Sequence, residues 1–216
     1  MSSRVRALSF DAGGTLIAPW PSVGQVYADA AAANGFPGLP APIIEEGFRR
    51  AWRSRAGFDY SLNAWRELVL ETFSGLCARD VVHGFFPDLY RQFARPEHWR
   101  VLPGASSLLS ELRSRGFLLA VTSNWDERLR PLLGALGLAD RFAVITISME
   151  AGWQKPDRRI FLKTCSDLGV LPDETLHVGD SPGEDVEGAK AAGLKSALFD
   201  PSLGGSLASC VEAALG

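Results

Sequence analysis

Four short segments carry the residue types that could do chemistry, three where an apolar run gives out and one in a loop. In LSFDAGGTLI, residues 8–17, a single acid, Asp11, closes the run and is followed by Gly13, Gly14 and Thr15. A carboxylate there could attack phosphorus or carbon, and glycine lets backbone N–H groups approach an anionic substrate. In AVTSNW, Ser123 and Asn124 close a second run; a hydroxyl and an N–H at that point can hold one oxygen of a phosphate or a carboxylate. Lys155 stands in GWQKPDRRIF, where Pro156 is expected to begin a helix, and a lysine on a rigid loop could neutralise both nucleophile and substrate. In LHVGDSPGEDVEGAKAAG, Asp180 ends a run and Asp185 opens the next helix. Two acids so spaced in a glycine-bearing loop can hold Mg²⁺ through oxygen ligands.

Each residue also has an ordinary structural reading. Short acids after strands are commonly turn or helix caps, Ser-Asn is a common turn pair, and most lysines beside loops are solvated. A helix N-terminus favours acids through its dipole, which accounts for Asp185 better than for Asp180. His177 falls inside the apolar part of its run and reads as a satisfied core residue. What favours chemistry is the order Asp11, Ser123, Lys155, Asp180, each at a strand end or loop of one sheet.

The elements that must position these residues follow from periodicity. VRALSFD, FLLAVTSN, RFAVITIS, TLHVGD and KSALFD read as buried parallel strands. Helical patterns in GASSLLSELRSRG, DERLRPLLGALGL, DRRIFLKTCSDLGV and GEDVEGAKAAGL alternate with the last four. The expected architecture is α/β, a doubly wound, Rossmann-like, mostly parallel sheet whose ligands bind beyond the carboxyl ends of the strands. Residues 18–100 break the alternation: VGQVYADAAAANG, IIEEGFRRAWRSR, NAWRELVLETFSGLC and VVHGFFPDLYRQFA read as about four helices of an inserted domain. Residues 1–17 and 101–216 then make the core domain. Trp20, Trp52, Trp65 and Trp99 of the insertion read as packing rather than a ligand cage, and Arg49, Arg50, Arg53 and Arg55 as a solvated face.

Composition narrows the function classes. The 216 residues are 46% hydrophobic and 22% charged, ordinary for a globular chain that folds unaided. A formal charge of -3 with scattered arginines offers no basic field, so no nucleic-acid partner is expected. Cys77, Cys165 and Cys210 have neither disulfide-framework nor zinc spacing. No apolar run reaches the roughly 18 residues of a membrane span, and the N-terminus meets an acid too soon for a secretory signal, so no membrane association and a cytoplasmic location are expected.

At this point the chain resembles the haloacid dehalogenase-like hydrolase superfamily, whose ordered motifs are an Asp-led loop, a Ser/Thr, a Lys and an acid pair. SNWDERL, KPDRRIF, HVGDSPGEDVEGA and NAWRELVLETF look most like its rhythmically expressed gene 2 subgroup. The resemblance implies a helical cap on the core and a small phosphorylated metabolite as substrate. It implies Asp11 as the nucleophile that forms an aspartyl phosphate, and Ser123 and Lys155 as the grip on the phosphoryl group. Gly13, Gly14, Thr15 and Asn124 would complete the phosphate cradle. Mg²⁺ would be held by Asp11, the Gly13 carbonyl, Asp180 and Asp185.

Phosphatases of this superfamily usually carry a second Asp at the position of Gly13, which protonates the leaving alcohol and then activates water. Such help is worth roughly 10²- to 10⁴-fold, about 3 to 5 kcal/mol. Three readings stay open: a metal-dependent phosphatase or phosphotransferase suited to good leaving groups, a non-catalytic phosphate-binding or regulatory protein, and a 2-haloacid dehalogenase whose halide leaves without a proton. The first is favoured, and the last leaves Asp180 and Asp185 unexplained. A Schiff-base route fails, because Lys155, Lys163, Lys190 and Lys195, the lysines of the chain, all follow the insertion. The cap is expected to set substrate choice, with the loop AGFDYS entering the site and hinges near residues 17 and 100.

Overall fold

The five apolar runs are strands, and their burial follows their place in the sheet. The computed structural model describes residues 4–55, 57–201 and 204–216; Ala56, the first residue of AGFDYS, lies outside them. In chain order the first elements are β1 (Ala7–Phe10), β2 (Ile17–Pro19), α1 (Val23–Ala33), α2 (Ala41–Ser54), α3 (Leu62–Thr72), α4 (Arg79–Gln92) and β3 (Trp99–Val101). Then come α5 (Ala105–Ser114), β4 (Leu118–Ser123), α6 (Leu129–Ala135), β5 (Val144–Ile147), α7 (Ser148–Ala151) and α8 (Arg158–Leu168). The chain ends with β6 (Thr175–Gly179), α9 (Gly188–Ala191), β7 (Lys195–Leu198) and α10 (Leu207–Leu215). Contacts divide it into two compact units, Met1–Ala18 with Val101–Gly216, and Pro19–Arg100.

In the first unit the strands lie in the order β5-β4-β1-β6-β7, all parallel. The inner strands β1 and β6 are wholly buried, whereas the edge strands β5 and β7 are mostly half-buried, as expected when helices cover both faces of a parallel sheet. The fold is therefore the Rossmann-like α/β architecture expected from the sequence. From the central strand β1 the chain builds outward through β4 and β5 on one side, then through β6 and β7 on the other. That reversal opens a crevice beyond the carboxyl end of β1, where such sheets bind ligands. Helix α8 covers one side of the sheet with Ile160, Phe161 and Cys165, which pack with Ala7, Ala189 and Leu194.

Pro156 does not begin α8. The helix starts at Arg158, and Asp157 is its N-cap, accepting the Arg159 N–H. A carboxylate that satisfies an orphan N–H and meets the positive end of the dipole sets the boundary more strongly than proline does. Pro156 stays in the preceding loop, after a cis Lys155–Pro156 peptide. The ribbon formed by β2 and β3 is too short, at three residues a strand, to leave a periodic signal.

The second unit holds α1 to α4 around a core of Tyr27, Ile44, Val69, Phe73, Phe85 and Leu89. Tyr27 and Phe73 stack at 5.9 Å. Trp52 and Trp65 likewise stack on each other at 5.9 Å, and the Arg55 guanidinium sits 3.5 Å over the Trp52 ring; both tryptophans are packing residues. No described helix is long and apolar enough to cross a membrane.

Two helices of this unit meet through a glycine. A Cβ on Gly47 of α2 would lie 2.4 Å from the Thr72 carbonyl oxygen. Helix propensity alone makes Gly47→Ala stabilising by about 1 kcal/mol. The backbone clash opposes this and should win, so chemical denaturation is expected to show a net loss of about 1 to 3 kcal/mol. A more stable variant would mean that α2 can move away from the end of α3 without penalty.

Candidate active site

Asp11 directly follows the central strand, and its N–H is fixed by the Val178 carbonyl at 2.9 Å. Its carboxylate Oδ1 accepts two hydrogen bonds, from Lys155 Nζ at 2.6 Å and from Ser123 Oγ at 2.8 Å. Lys155 Nζ also donates to Asp185 Oδ1 at 2.6 Å. Asp11, Ser123, Lys155 and Asp185 thus form one buried cluster, drawn from segments far apart in the chain. Burial works against the Lys155 ammonium, but the charges of Asp11 and Asp185 outweigh it and raise its pKa. Asp185 shifts the other way: burial opposes its charge, yet Lys155 and the His177 hydrogen bond hold its carboxyl well below the usual range.

Asn124 spends its side chain on the lysine loop. Its Oδ1 accepts the Lys155 N–H at 2.6 Å, while its Nδ2 donates to the Lys155 carbonyl at 2.9 Å and to Glu184 Oε2 at 3.1 Å. The amide therefore clamps both backbone groups of Lys155 and aims the ammonium. Thr15 is fully buried and its hydroxyl has no hydrogen-bond partner.

Asp11, Asp180 and Asp185 each offer a carboxylate oxygen, and these atoms lie within 4.8 Å of one another. Desolvation by the surrounding protein, then the charges of Asp11 and Asp185, push Asp180 up to about 7, against the pull of Lys155. Three acids around one lysine leave a local excess of negative charge. All-oxygen, anionic donors at this separation fit Mg²⁺.

Glycines let the acids come this close. Gly14 has φ +78°, and a Cβ there would fall 2.3 Å from Asp180 Oδ2. A Cβ on Gly179 would fall 2.1 Å from Asp185 Cγ. Gly13 differs: its φ is not positive, and a Cβ would meet Cζ3 of Trp125 at 3.0 Å. The Trp125 ring lies where a side chain at position 13 would project, and its backbone is fixed by Ser148, whose hydroxyl accepts the Trp125 N–H at 3.0 Å and lies 3.1 Å from its carbonyl.

Beneath the cluster runs a row of buried polar groups that sequence reading does not assemble. Thr146 of β5, Thr122 of β4, Ser9 of β1 and His177 of β6 each supply one member, and Thr164 of α8 joins them. Thr164 Oγ1 lies 2.9 Å from Thr146 and 2.8 Å from Thr122, and Thr122 lies 2.7 Å from Ser9 Oγ. Ser9 reaches His177 Nδ1 at 3.1 Å, and His177 Nε2 reaches Asp185 Oδ1 at 3.0 Å. Burial lowers the His177 pKa, against the opposing hydrogen bond that the ring donates to Asp185. His177 is the satisfied core residue that its apolar surroundings suggest, but one of its partners is an acid of the cluster. The visible signal is a polar residue inside each mostly apolar strand. Trp125 and Ser181, whose N–H donates to Asp185 Oδ2 at 2.9 Å, had no such signal.

Known proteins are similar to this chain over nearly its whole length. The family model described as haloacid dehalogenase-like hydrolase matches residues 5–193. The human haloacid dehalogenase-like hydrolase domain-containing protein 3 is 37% identical over 206 residues, covering 90% of this chain and 82% of that protein. The Drosophila melanogaster rhythmically expressed gene 2 protein is 30% identical over 217 residues, covering 91% and 83%, which supports the subgroup expected from the motifs. Among solved structures, a HAD phosphatase from Thermococcus onnurineus matches with a TM-score of 0.64 and 26% identity, over 91% of this chain and 86% of that one. The chain belongs to the haloacid dehalogenase-like hydrolase family.

Proposed function

We propose that this hydrolase is a Mg²⁺-dependent phosphatase or phosphotransferase acting on small phosphorylated metabolites through Asp11. The observation that carries the reading is the Asp11 carboxylate, held by Lys155 at 2.6 Å and Ser123 at 2.8 Å at the end of the central strand, with two further acids within cation-sharing distance. The likeness to a HAD phosphatase supports the same chemistry.

Both hydrogen bonds go to Oδ1, which orients Oδ2 toward an incoming phosphorus. As the Oδ2–P bond forms, the bond from phosphorus to the leaving oxygen breaks, and that oxygen takes the electron pair. Lys155 and Ser123, together with backbone N–H groups of Gly13, Thr15 and Asn124, hold the phosphoryl oxygens; the Gly14 N–H is spent on the Ile17 carbonyl at 2.9 Å. Mg²⁺, held by Asp11, Asp180, Asp185 and the Gly13 carbonyl, would screen the repulsion between a phosphate dianion and the carboxylate. Gly13 cannot protonate the leaving oxygen, so substrates whose leaving group departs as an anion, acyl or aryl phosphates, are favoured. Nor can it deprotonate the water that must then attack phosphorus and return Asp11, so the aspartyl phosphate persists.

Incubation with acetyl phosphate and Mg²⁺ should therefore add one phosphoryl group to the folded protein by intact mass, and Asp11→Asn should stay unmodified. Mg²⁺ alone should raise the thermal midpoint, an effect that Asp180→Asn removes. No adduct and no turnover of any phosphate would favour the non-catalytic reading. Chloride release from 2-chloropropionate in EDTA would install the dehalogenase reading instead.

The Trp125 contact decides what Gly13→Asp can achieve. The new side chain meets the indole at once, so the single substitution should gain little on alkyl phosphates. Gly13→Asp with Trp125→Ala makes room and should recover up to about 10²-fold in alkyl phosphate turnover, the lower end of what general acid-base help supplies. Equal rates for the single and double variants would show that the ring yields freely.

A further inference from the structure

The proposed chemistry gives no task to His177, a fully buried titratable side chain at the heart of the sheet. We propose that His177 is a positioning residue: it fixes the Asp185 carboxylate so that Asp185 serves both Lys155 and the divalent cation. This rests on the reading of Asp185 as part of the cation site.

Three donors meet the Asp185 carboxylate. Oδ2 accepts the Ser181 N–H at 2.9 Å, while Oδ1 accepts Lys155 Nζ at 2.6 Å and His177 Nε2 at 3.0 Å. Lys155 is a flexible four-carbon stem, and Ser181 belongs to the loop after β6. His177 alone of the three stands on a strand. Because a carboxylate only accepts, Nε2 carries the proton and Nδ1 accepts from the Ser9 hydroxyl. Ser9 has then spent its proton and accepts from Thr122. The tautomer is thus set by the Asp185 carboxylate and matched by the Ser9 hydroxyl, and the Phe161 ring, edge-on at 5.0 Å, sets the plane of the imidazole. Without the Nε2 donor, Asp185 keeps one loop contact and an ammonium that it shares with Asp11, and can swing about its Oδ2 bond. Groups that orient a ligand in this way typically govern metal affinity by about 10- to 100-fold.

The test compares two polar replacements by calorimetric titration with Mg²⁺ alone. The His177→Gln side chain reaches as far as Nε2 and can donate to Asp185 while accepting from Ser9, so its affinity should stay close to that of the wild type. The His177→Asn side chain reaches only the Nδ1 position, and its affinity should fall by about 10- to 100-fold. Thr146→Val, which removes a hydroxyl at the far end of the row, should lower stability without changing affinity. Equal affinities for the Gln and Asn variants would overturn the proposal, as would an equal loss in Thr146→Val. If neither His177 variant folds, Ser9→Ala decides: it removes the hydrogen bond at Nδ1, leaves the ring held at Nε2 alone and should weaken Mg²⁺ binding, and unchanged affinity there overturns the proposal. A wild type that binds no Mg²⁺ instead overturns the cation-site reading itself, and this proposal with it.

Discussion

The site depends on one buried ammonium shared between two carboxylates. Taking Lys155 out of water is unfavourable, and only contacts of 2.6 Å to both Asp11 and Asp185 offset it. Removing one partner of such a pair typically destabilises a protein by about 3 to 5 kcal/mol. The surrounding features serve this contact. Asn124 clamps the lysine backbone, Ser123 holds the acid on one side, and Ser181 and His177 hold the acid on the other. Gly179 is bare because Asp185 occupies the space of its side chain.

Much of this was legible in the chain, for physical reasons that differ by residue. The strands were visible because parallel strands covered on both faces are nearly continuous in apolar residues, and Asp11, Ser123 and Asp180 were visible because they end those runs. Lys155 was visible only through its order among the others. What the pattern could not carry were contacts made across space. Asn124 offered an amide to a phosphate or to a loop, and the loop has it. Trp125 follows Ser123 and Asn124 directly, but nothing local says that its ring turns back onto Gly13. Proline and an acid both mark helix beginnings, so Pro156 points to a start for α8 that the acid directly after it, Asp157, takes instead.

The pairing of Gly13 with Trp125 gives the departure from the usual motif a structural form. A glycine in an open pocket would leave room for water beside Asp11. Here an indole carbon lies 3.0 Å from where a Cβ would be, so the place is filled by an apolar, rigid group. The indole supplies no proton in the place where the usual acid would stand. Under the proposed chemistry, the first bond-making step keeps its machinery while the second loses its base.

The row of hydroxyls under the site also bears on how the sheet finds its alignment. His177 faces Ser9 directly and Thr122 faces Thr146 directly in the strand register. Side chains alternate between the two faces of a strand, so sliding any of these four strands by one residue would turn its polar group toward the opposite layer. Each such group would then lie buried without its partner, at about 1 to 3 kcal/mol apiece. Apolar strands alone discriminate poorly between such alignments, since both faces are hydrophobic. The polar row therefore works as a code for correct assembly: a sheet that forms out of step cannot complete it, and only the in-step sheet brings Asp11, Ser123 and Asp180 level with one another.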